Sequence, residues 1–139
     1  MSIICREYQD NDLDSVNEIL QEAFDTTKEN FKYDNIVEFV CLKDEVVCGY
    51  LMLTRIINPI KKKHYYLVDY VCVSTKYRGL GISDALMDYA YKYAKDNGAM
   101  YLQLTCSYKR VAAHKLYERC NYIKRESDIY RRVIEWYLI

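Results

Sequence analysis

The sequence lacks the features that mark several large classes of protein. Its 139 residues carry a formal net charge of zero, which argues against a general nucleic-acid binder. A membrane-spanning helix needs about 18 consecutive apolar residues, and no apolar stretch of this sequence approaches that length. The N-terminus also lacks the apolar region of a signal peptide. The 6 cysteines form no C-x-x-C pair and no metal-spaced cluster with the 2 histidines. We therefore predict a soluble cytoplasmic protein with reduced cysteines, no metal, and no membrane or nucleic-acid partner.

Glycine is also scarce, and two of the 4 glycines fall within one short stretch. Gly79 and Gly81 follow the nearly continuous apolar run 65–73 and precede a strongly periodic segment. This order predicts a buried strand, a glycine turn and a helix whose first N–H groups can bind phosphate, with Arg78 adding charge. The turn is not a Walker A loop, because no Gly-Lys-Ser/Thr follows it. It is not the dinucleotide-binding G-x-G-x-x-G motif either, because Asp84 stands in place of the third glycine. A plain strand-to-helix turn is the alternative.

Charge is distributed unevenly between the two halves of the chain. Residues 1–60 contain 5 Lys/Arg against 12 Asp/Glu, whereas residues 61–139 contain 15 against 8. An acidic half beside a basic half suits a cationic substrate that meets an anionic cofactor. A chance distribution of surface charge is the alternative.

The order of the periodic segments indicates a mixed α/β fold. Hydrophobic periodicity and turn residues predict the following elements: a strand at 2–8, a helix at 13–24, strands at 37–42, 46–56 and 65–73, a helix at 82–97, a strand at 100–106, a helix at 109–120 and a hairpin of 122–125 with 129–138. Residues 25–36 fit either a loop or a short helix. Gly49 predicts a bulge or a close backbone approach. We predict a single domain over 1–139 with a mixed sheet.

The predicted hairpin at the C-terminus would leave apolar edge strands. Its apolar residues are Val133, Ile134, Trp136, Tyr137 and Leu138. Exposed strand edges pair readily with other chains, so we predict that the protein can form a homodimer.

Two motifs in this order resemble those of the GCN5-related N-acetyltransferase (GNAT) family. The segment Arg78-Gly79-Leu80-Gly81-Ile82-Ser83 is similar to the family's Arg/Gln-x-x-Gly-x-Gly/Ala signature, with Ser83 at the last position. The segment 113–122 is similar to Ala-x-x-Phe/Leu-Tyr-x-x-x-Gly-Phe/Tyr, with Asn121 in place of the glycine. The resemblance extends over most of the chain and is strongest over 65–122.

The resemblance implies a fold and a bound cosubstrate. It implies a mostly antiparallel central sheet with helices on both faces, whose two parallel strands splay apart to form a cleft for acetyl-CoA. The pantetheine arm would pair with the backbone of Val71, Cys72 and Val73. The pyrophosphate would lie on the N–H groups of the turn, namely those of Arg78, Gly79, Leu80, Gly81, Ile82 and Ser83.

The resemblance and the chemistry together suggest catalytic residues. Tyr117 matches the family's general-acid tyrosine, which would protonate the sulfur of CoA; one more packed aromatic residue is the alternative. Asp69 is the only charge in the central strand and by simple alternation shares a face with Leu67, Val71 and Val73. It is a candidate for binding or deprotonating the amine, or else a structural carboxylate that pairs with an arginine or caps the backbone. Glu38 is a second candidate for the base.

The implied function is acetyl-CoA-dependent transfer of an acetyl group to a primary amine. We expect the amine to belong to a small cationic molecule that binds residues 20–36 and 54–64. Peptide or protein N-acetylation and a non-catalytic acyl-CoA-binding module are the alternatives. A Cys–His hydrolase built on Cys72 or Cys106 is a weaker alternative, because no third orienting group accompanies either thiol.

Overall fold

Five strands and three helices make up the fold of the residues that the structure describes. A computed structural model describes the backbone of residues 2–138 and the side chains of residues 2–136. The elements are β1 (Ile3–Glu7), α1 (Leu13–Phe24), β2 (Ile36–Lys43), β3 (Val46–Asn58), β4 (Lys63–Val73), α2 (Ile82–Asp96), β5 (Leu102–Gln103) and α3 (Val111–Arg119). Short 3-10 turns lie at Asp10–Asp12, Thr75–Tyr77 and Glu135–Leu138. Residues 25–35 form a loop, which settles the alternative left open by the sequence.

The strands form one sheet in the order β1-β2-β3-β4-β5. All neighbours are antiparallel except β4 and β5, which are parallel. The β2–β3 hairpin turns through Asp44 and Glu45, whose φ values of 48° and 70° are those of a type I′ turn. The predicted mixed, mostly antiparallel sheet is therefore confirmed.

Helices cover both faces of the sheet because the strands alternate their apolar side chains. One core packs Val16, Ile19 and Leu20 of α1 against Val40, Tyr50 and Cys72 of the sheet. The other core lies beneath α2 and contains Phe39 and Cys41, the residues that flank Val40 in sequence, together with Tyr117 of α3. All six cysteines are free thiols, and Cys41, Cys48 and Cys72 lie in these cores. Among residues 2–138, no helix has the length and apolar character needed to cross a bilayer.

Gly49 lets α2 approach β3 closely, as the sequence predicted. A β-carbon at Gly49 would lie 2.8 Å from Cγ2 of Ile82 and 2.9 Å from Cδ1 of Leu86, and both side chains are buried. The β2–β3 register also shifts here, since Cys41 faces Gly49 and Leu42 faces Val47. The start of α2 is thus seated directly on a glycine of the sheet.

Replacing Gly49 by Ala should destabilise the fold. Alanine suits a strand better than glycine, but its methyl group would have to displace the packed ends of Ile82 and Leu86. Overpacking of this kind costs about 1–3 kcal/mol. Urea unfolding should show a lower midpoint with an unchanged slope. An unchanged or higher midpoint would contradict the close-approach explanation.

The hairpin predicted at 122–125 and 129–138 is wrong. Beyond α3 the described chain contains no strand, and only the turn Glu135–Leu138 is regular. Ile129, Tyr130 and Trp136 are 68%, 91% and 72% exposed. The preference of such residues for strands depends on packing against a neighbour, and β5 offers an edge of only two residues. The homodimer stays a prediction, without the edge strands on which it was based.

Candidate active site

The parallel pair β4 and β5 separates after two residues. Tyr66 pairs with Leu102 and Leu67 with Gln103, and no β5 partner follows along β4 within residues 2–138. The strand predicted at 100–106 is therefore much shorter than expected. Two strands stay hydrogen-bonded only while their backbones run side by side. Because β4 is distorted just beyond Leu67, β5 cannot remain paired with it. The separation leaves backbone N–H and C=O groups of Val68–Val73 without a strand partner on this edge among the described residues.

A bulge distorts β4 at Tyr70. Met52 of β3 pairs with Asp69 and Tyr50 pairs with Cys72, so Tyr70 and Val71 together stand opposite Leu51. Tyr70 takes up the extra residue with φ 55°, an unusual backbone conformation for a side chain of this size. The N–H groups on the bulge are therefore candidates for binding a ligand atom.

The bulge also corrects the predicted position of Asp69. Val71 and Val73 pack on the α2 face, whereas Cys72 packs on the α1 face together with Val40 and Tyr50. Val68 also lies on the α2 face, so Asp69 is on the α1 face with Leu67. The prediction that Asp69 shares a face with Val71 and Val73 is wrong, because the extra residue reverses the alternation.

Asp69 is exposed at the edge of the opening. It forms no hydrogen bond or ion pair with any residue in the described part of the chain. The neighbouring protein atoms shield part of the Asp69 carboxyl from water, and this desolvation raises its pKa above the ordinary value of 3.8. A carboxylate with these properties can accept a proton from an ammonium group.

The segment Val71–Val73 connects the bulge to the glycine turn. Val71 and Val73 are half-buried and Cys72 is buried. Burial raises the pKa of the Cys72 thiol to about 12, so the thiolate needed by a hydrolase is scarce at neutral pH. Cys106 and His114 each bond to the carbonyl oxygen of Ser107, at 3.6 and 2.8 Å, and not to one another. The hydrolase alternative thus lacks a Cys–His hydrogen bond.

Glycines shape the turn that precedes α2. Gly79 and Gly81 have φ values of 76° and 83°, and a β-carbon at either position would meet no atom within 4 Å. The backbone conformation therefore requires glycine here, and the space around the turn is open. Arg78 and Leu80 are exposed, Ser83 is half-buried and Ile82 is anchored in the core at 2% exposure. The first N–H groups of α2 border this open space.

Tyr117 lies on α3, belongs to the core against which Val71 and Val73 pack, and is 9% exposed. Burial raises the pKa of Tyr117 above 10.0, the neighbouring Arg110 lowers it, and the charge of Asp69 raises it further. At neutral pH the phenol is protonated and can donate a proton.

Asn121 lies just beyond the end of α3, in the conformation that a glycine would adopt. Its φ is 68°, and the N–H of Tyr122 donates to the carbonyl oxygen of Tyr117 at 2.9 Å. Asparagine tolerates this left-handed conformation better than most residues. The departure from the glycine of the motif is thus accommodated by the backbone.

Three residues near the bulge were not singled out from the sequence as site residues. The rings of Phe24 and Tyr70 meet edge to face at 5.3 Å, and Cζ of Arg110 lies 6.0 Å from the centre of the Phe24 ring. Phe24 ends α1, so the loop 25–35 starts beside the bulge. Arg110 directly precedes α3 and lies three residues before the motif 113–122, so its position in the sequence offered a signal. Nothing in the sequence marks the unusual conformation of Tyr70.

Glu38 is buried and interacts with Lys28 and Tyr50, away from the opening. Its side chain is 8% exposed, and Oε1 accepts a hydrogen bond from the Tyr50 hydroxyl at 2.6 Å and lies 3.2 Å from Nζ of Lys28. It stands on β2, two strands away from β4. This arrangement does not favour Glu38 as the base.

The comparisons with known proteins agree with this geometry. The model of the "Acetyltransferase (GNAT) family" matches residues 2–122. A search of curated proteins found no significant match. Solved structures share the fold: a protein described as a transcriptional regulator from Bacillus halodurans C-125 has 19% identity and a TM-score of 0.82, with 95% of this chain and 100% of that chain covered.

Two further structures have different activities in their names. Ribosomal-protein-alanine N-acetyltransferase from Brucella melitensis biovar Abortus 2308 has 19% identity and a TM-score of 0.77, over 96% of this chain and 99% of its own. Glucosamine-6-phosphate N-acetyltransferase from Arabidopsis thaliana has 13% identity and a TM-score of 0.76, and the match covers 95% of this chain and 99% of that chain. At these identities the structures show the fold alone. The family model, which spans most of the chain, shows that this protein belongs to the GNAT acetyltransferase family.

Proposed function

We propose that the protein transfers an acetyl group from acetyl-CoA to the primary amine of a small cationic molecule. The observation that supports this most directly is the unpaired edge of β4, which runs from the bulge at Tyr70 into the glycine turn. Asp69 stands directly before the bulge, and Tyr117 belongs to the core against which Val71 and Val73 pack. The opening thus combines a surface for an extended ligand with a candidate base and a candidate acid.

The residues along this edge fit acetyl-CoA. The backbone of Val71, Cys72 and Val73 offers hydrogen-bonding groups to an amide-containing arm, because no β5 residue takes them. The open turn 78–83 offers N–H groups, and Arg78 offers a cation, to a pyrophosphate. When bound, acetyl-CoA supplies a thioester whose carbonyl carbon accepts the amine.

Each remaining requirement of the transfer has a candidate residue in this chain. Asp69 would take a proton from the ammonium form of the acceptor, which must be neutral to act as a nucleophile. The N–H of Val71, on the bulge, would donate to the carbonyl oxygen. Tyr117 would give its proton to the departing sulfur. Placement of both reactants along one edge supplies the proximity on which such a transfer depends.

The charge of the chain supports a cationic acceptor. The loop 25–35 and β2 belong to the acidic half, and they lie on or beside the α1 face that carries Asp69. Names of structurally similar proteins mention ribosomal-protein alanine, aminoglycosides and glucosamine-6-phosphate. This variety leaves the acceptor to experiment.

The direct test is release of CoA thiol from acetyl-CoA, followed with a thiol reagent across polyamines, amino sugars, amino acids and short peptides. We expect release to depend on the amine and to be fastest with small cationic amines. Release with peptides alone would support the peptide alternative. Acetyl-CoA binding without turnover would support the acyl-CoA-binding module, and the absence of binding would overturn the proposal.

Replacing Asp69 by Asn should lower kcat/KM for the amine by about 100-fold, within the range of general-base catalysis. The raised pKa of Asp69 gives the sign of the pH dependence. Activity is present above this pKa and is lost as the pH falls through it, so the wild type has an acidic limb that the variant lacks. The pH profile of kcat/KM is the measurement.

A matched control for this variant is Asp88→Asn on the exposed side of α2, where Asp88 pairs with Lys92 at 2.9 Å. It removes one carboxylate without touching the opening. A normal acidic limb in Asp69→Asn would show that another group is the base.

A further inference from the structure

Lys28 places a primary ammonium group inside the protein. Its side chain is 10% exposed, and Nζ lies 3.2 Å from Oε1 of Glu38. Nζ also lies 4.2 Å from the centre of the Tyr8 ring and 4.8 Å from that of Phe31. The Tyr50 hydroxyl donates to the same carboxylate oxygen at 2.6 Å. We call Tyr8, Phe31, Glu38 and Tyr50 the ammonium cage.

The cage has the chemistry that proteins use to recognise cationic amines. A carboxylate neutralises the charge, while two aromatic faces within about 6 Å attract a cation through their ring quadrupoles. Enclosure strengthens both interactions, because little water competes for the ammonium group. The chain's own lysine thus shows that this cage holds a primary ammonium.

The cage opens onto an acidic groove. A groove of about 230 Å³ is lined partly by cage residues and partly by the carboxylates of Glu7, Asp10 and Asp34. Among the described residues that line it, Lys32 is the one basic residue, so acidic residues predominate. Cations are therefore attracted to the mouth of the cage.

The backbone of Lys28 is fixed, whereas its side chain is attached by rotatable bonds. Nδ2 of Asn17 donates to the Lys28 carbonyl oxygen at 3.0 Å, and the Lys28 N–H donates to Oδ1 of Asn17 at 2.8 Å. These reciprocal bonds hold the loop against α1. The ammonium group can leave the cage by side-chain rotation, without moving that anchor.

The cage and Asp69 lie in one row across the α1 face of the sheet. Glu38 pairs in register with Met52, and Met52 pairs with Asp69. Neighbouring strands are separated by about 4.8 Å, so the backbones of Glu38 and Asp69 are about 10 Å apart. A linear aliphatic diamine is long enough to place one nitrogen in the cage and the other beside Asp69.

We infer that the ammonium cage is a subsite for the second cation of a linear diamine or polyamine acceptor, and that Lys28 occupies it in the free protein. This inference rests on the proposed function, since it gives that acceptor its chemical class. The acceptor's distal ammonium displaces Lys28 from Glu38, and its proximal amine then lies at Asp69. Lys28 therefore competes with the acceptor and lowers its apparent affinity.

The test compares diamines with monoamines in the variant Lys28→Met. Binding of diamines from diaminobutane to diaminodecane is measured by calorimetry without acetyl-CoA, beside alkylamines of equal length. A cage filled by Lys28 about nine-tenths of the time would weaken binding about 10-fold, so the variant should bind diamines about 10-fold more tightly. Alkylamines should show no such gain. Equal gains for both series, or no gain, would overturn the inference.

Two further variants make the result specific. Lys32→Met removes a charge from the groove without emptying the cage, and should not reproduce the 10-fold gain. Lys28→Met combined with Glu38→Gln removes both charges, should fold like the wild type by circular dichroism, and should lose the gain. A gain that persists in the double variant would overturn the role of Glu38. Failure of the proposed function is a separate result, since it shows as no thiol release with any amine.

Discussion

Replacing Tyr117 by Phe should lower kcat by about 100-fold, within the range that general-acid catalysis supplies. The phenylalanine ring fills the same buried space, so the dissociation constant of acetyl-CoA should stay unchanged. What the variant lacks is the proton for the departing sulfur. Because a thiolate leaves fairly readily without help, the remaining activity should be measurable. Steady-state thiol release and acetyl-CoA calorimetry on the same preparations separate the two quantities.

The matched control is Tyr122→Phe. The two rings are neighbours with centres 6.0 Å apart, and the Tyr122 hydroxyl is buried without a hydrogen-bond partner among the described residues. Removing this hydroxyl should leave kcat unchanged and stability unchanged or higher, since an unsatisfied buried group is lost. Equal losses in the two variants would indicate a packing effect and overturn the assignment of Tyr117 as the acid.

Replacing Glu38 by Gln should destabilise the fold by about 3–5 kcal/mol, as expected when one partner of a buried ion pair is removed. The Lys28 ammonium would remain 10% exposed, with no carboxylate to neutralise it. Urea unfolding measures the change. A loss below about 1 kcal/mol would match an exposed pair and contradict the buried arrangement.

The double variant Lys28→Met, Glu38→Gln distinguishes this explanation from a general loss of packing. Replacing both members of a buried pair by uncharged residues of similar size is often neutral or stabilising. We therefore expect the double variant to recover most of the stability lost in Glu38→Gln. Failure to recover would indicate that the carboxylate contributes mainly through the Tyr50 hydroxyl, which donates to it at 2.6 Å.

Local rules explain the parts of the fold that the sequence predicted well. The β2–β3 turn, the helix after Gly81 and the end of α3 at Asn121 each depend on residues adjacent in sequence. Asn121 adopts φ 68° and Gly81 adopts φ 83°, as their places in the chain suggested. Local backbone preference and periodicity are sufficient at such positions.

The remaining features depend on residues far apart in sequence. The face of Asp69 depends on how many residues of β4 stand opposite Leu51 of β3, and periodicity within one strand cannot reveal this number. Lys28 meets Glu38 only because a loop and a strand converge. The C-terminal segment has strand-forming residues, but the short β5 gives it little to pair with. Tertiary contacts override local preference in each case.

Because of the bulge at Tyr70, the candidate site depends on how many residues separate Asp69 from Cys72, as well as on which residues they are. With one residue fewer between Asp69 and Cys72, β4 would alternate regularly and pair along its whole length with β3. Val71 and Val73 would keep their places on the α2 face, but the N–H groups now left over on the bulge would be used in the ladder. Every side chain assigned to the site would still be encoded, yet the backbone donor proposed for the carbonyl oxygen would be lost. For relatives of this chain, the spacing between aspartate and glycine turn is thus as informative as the residues themselves.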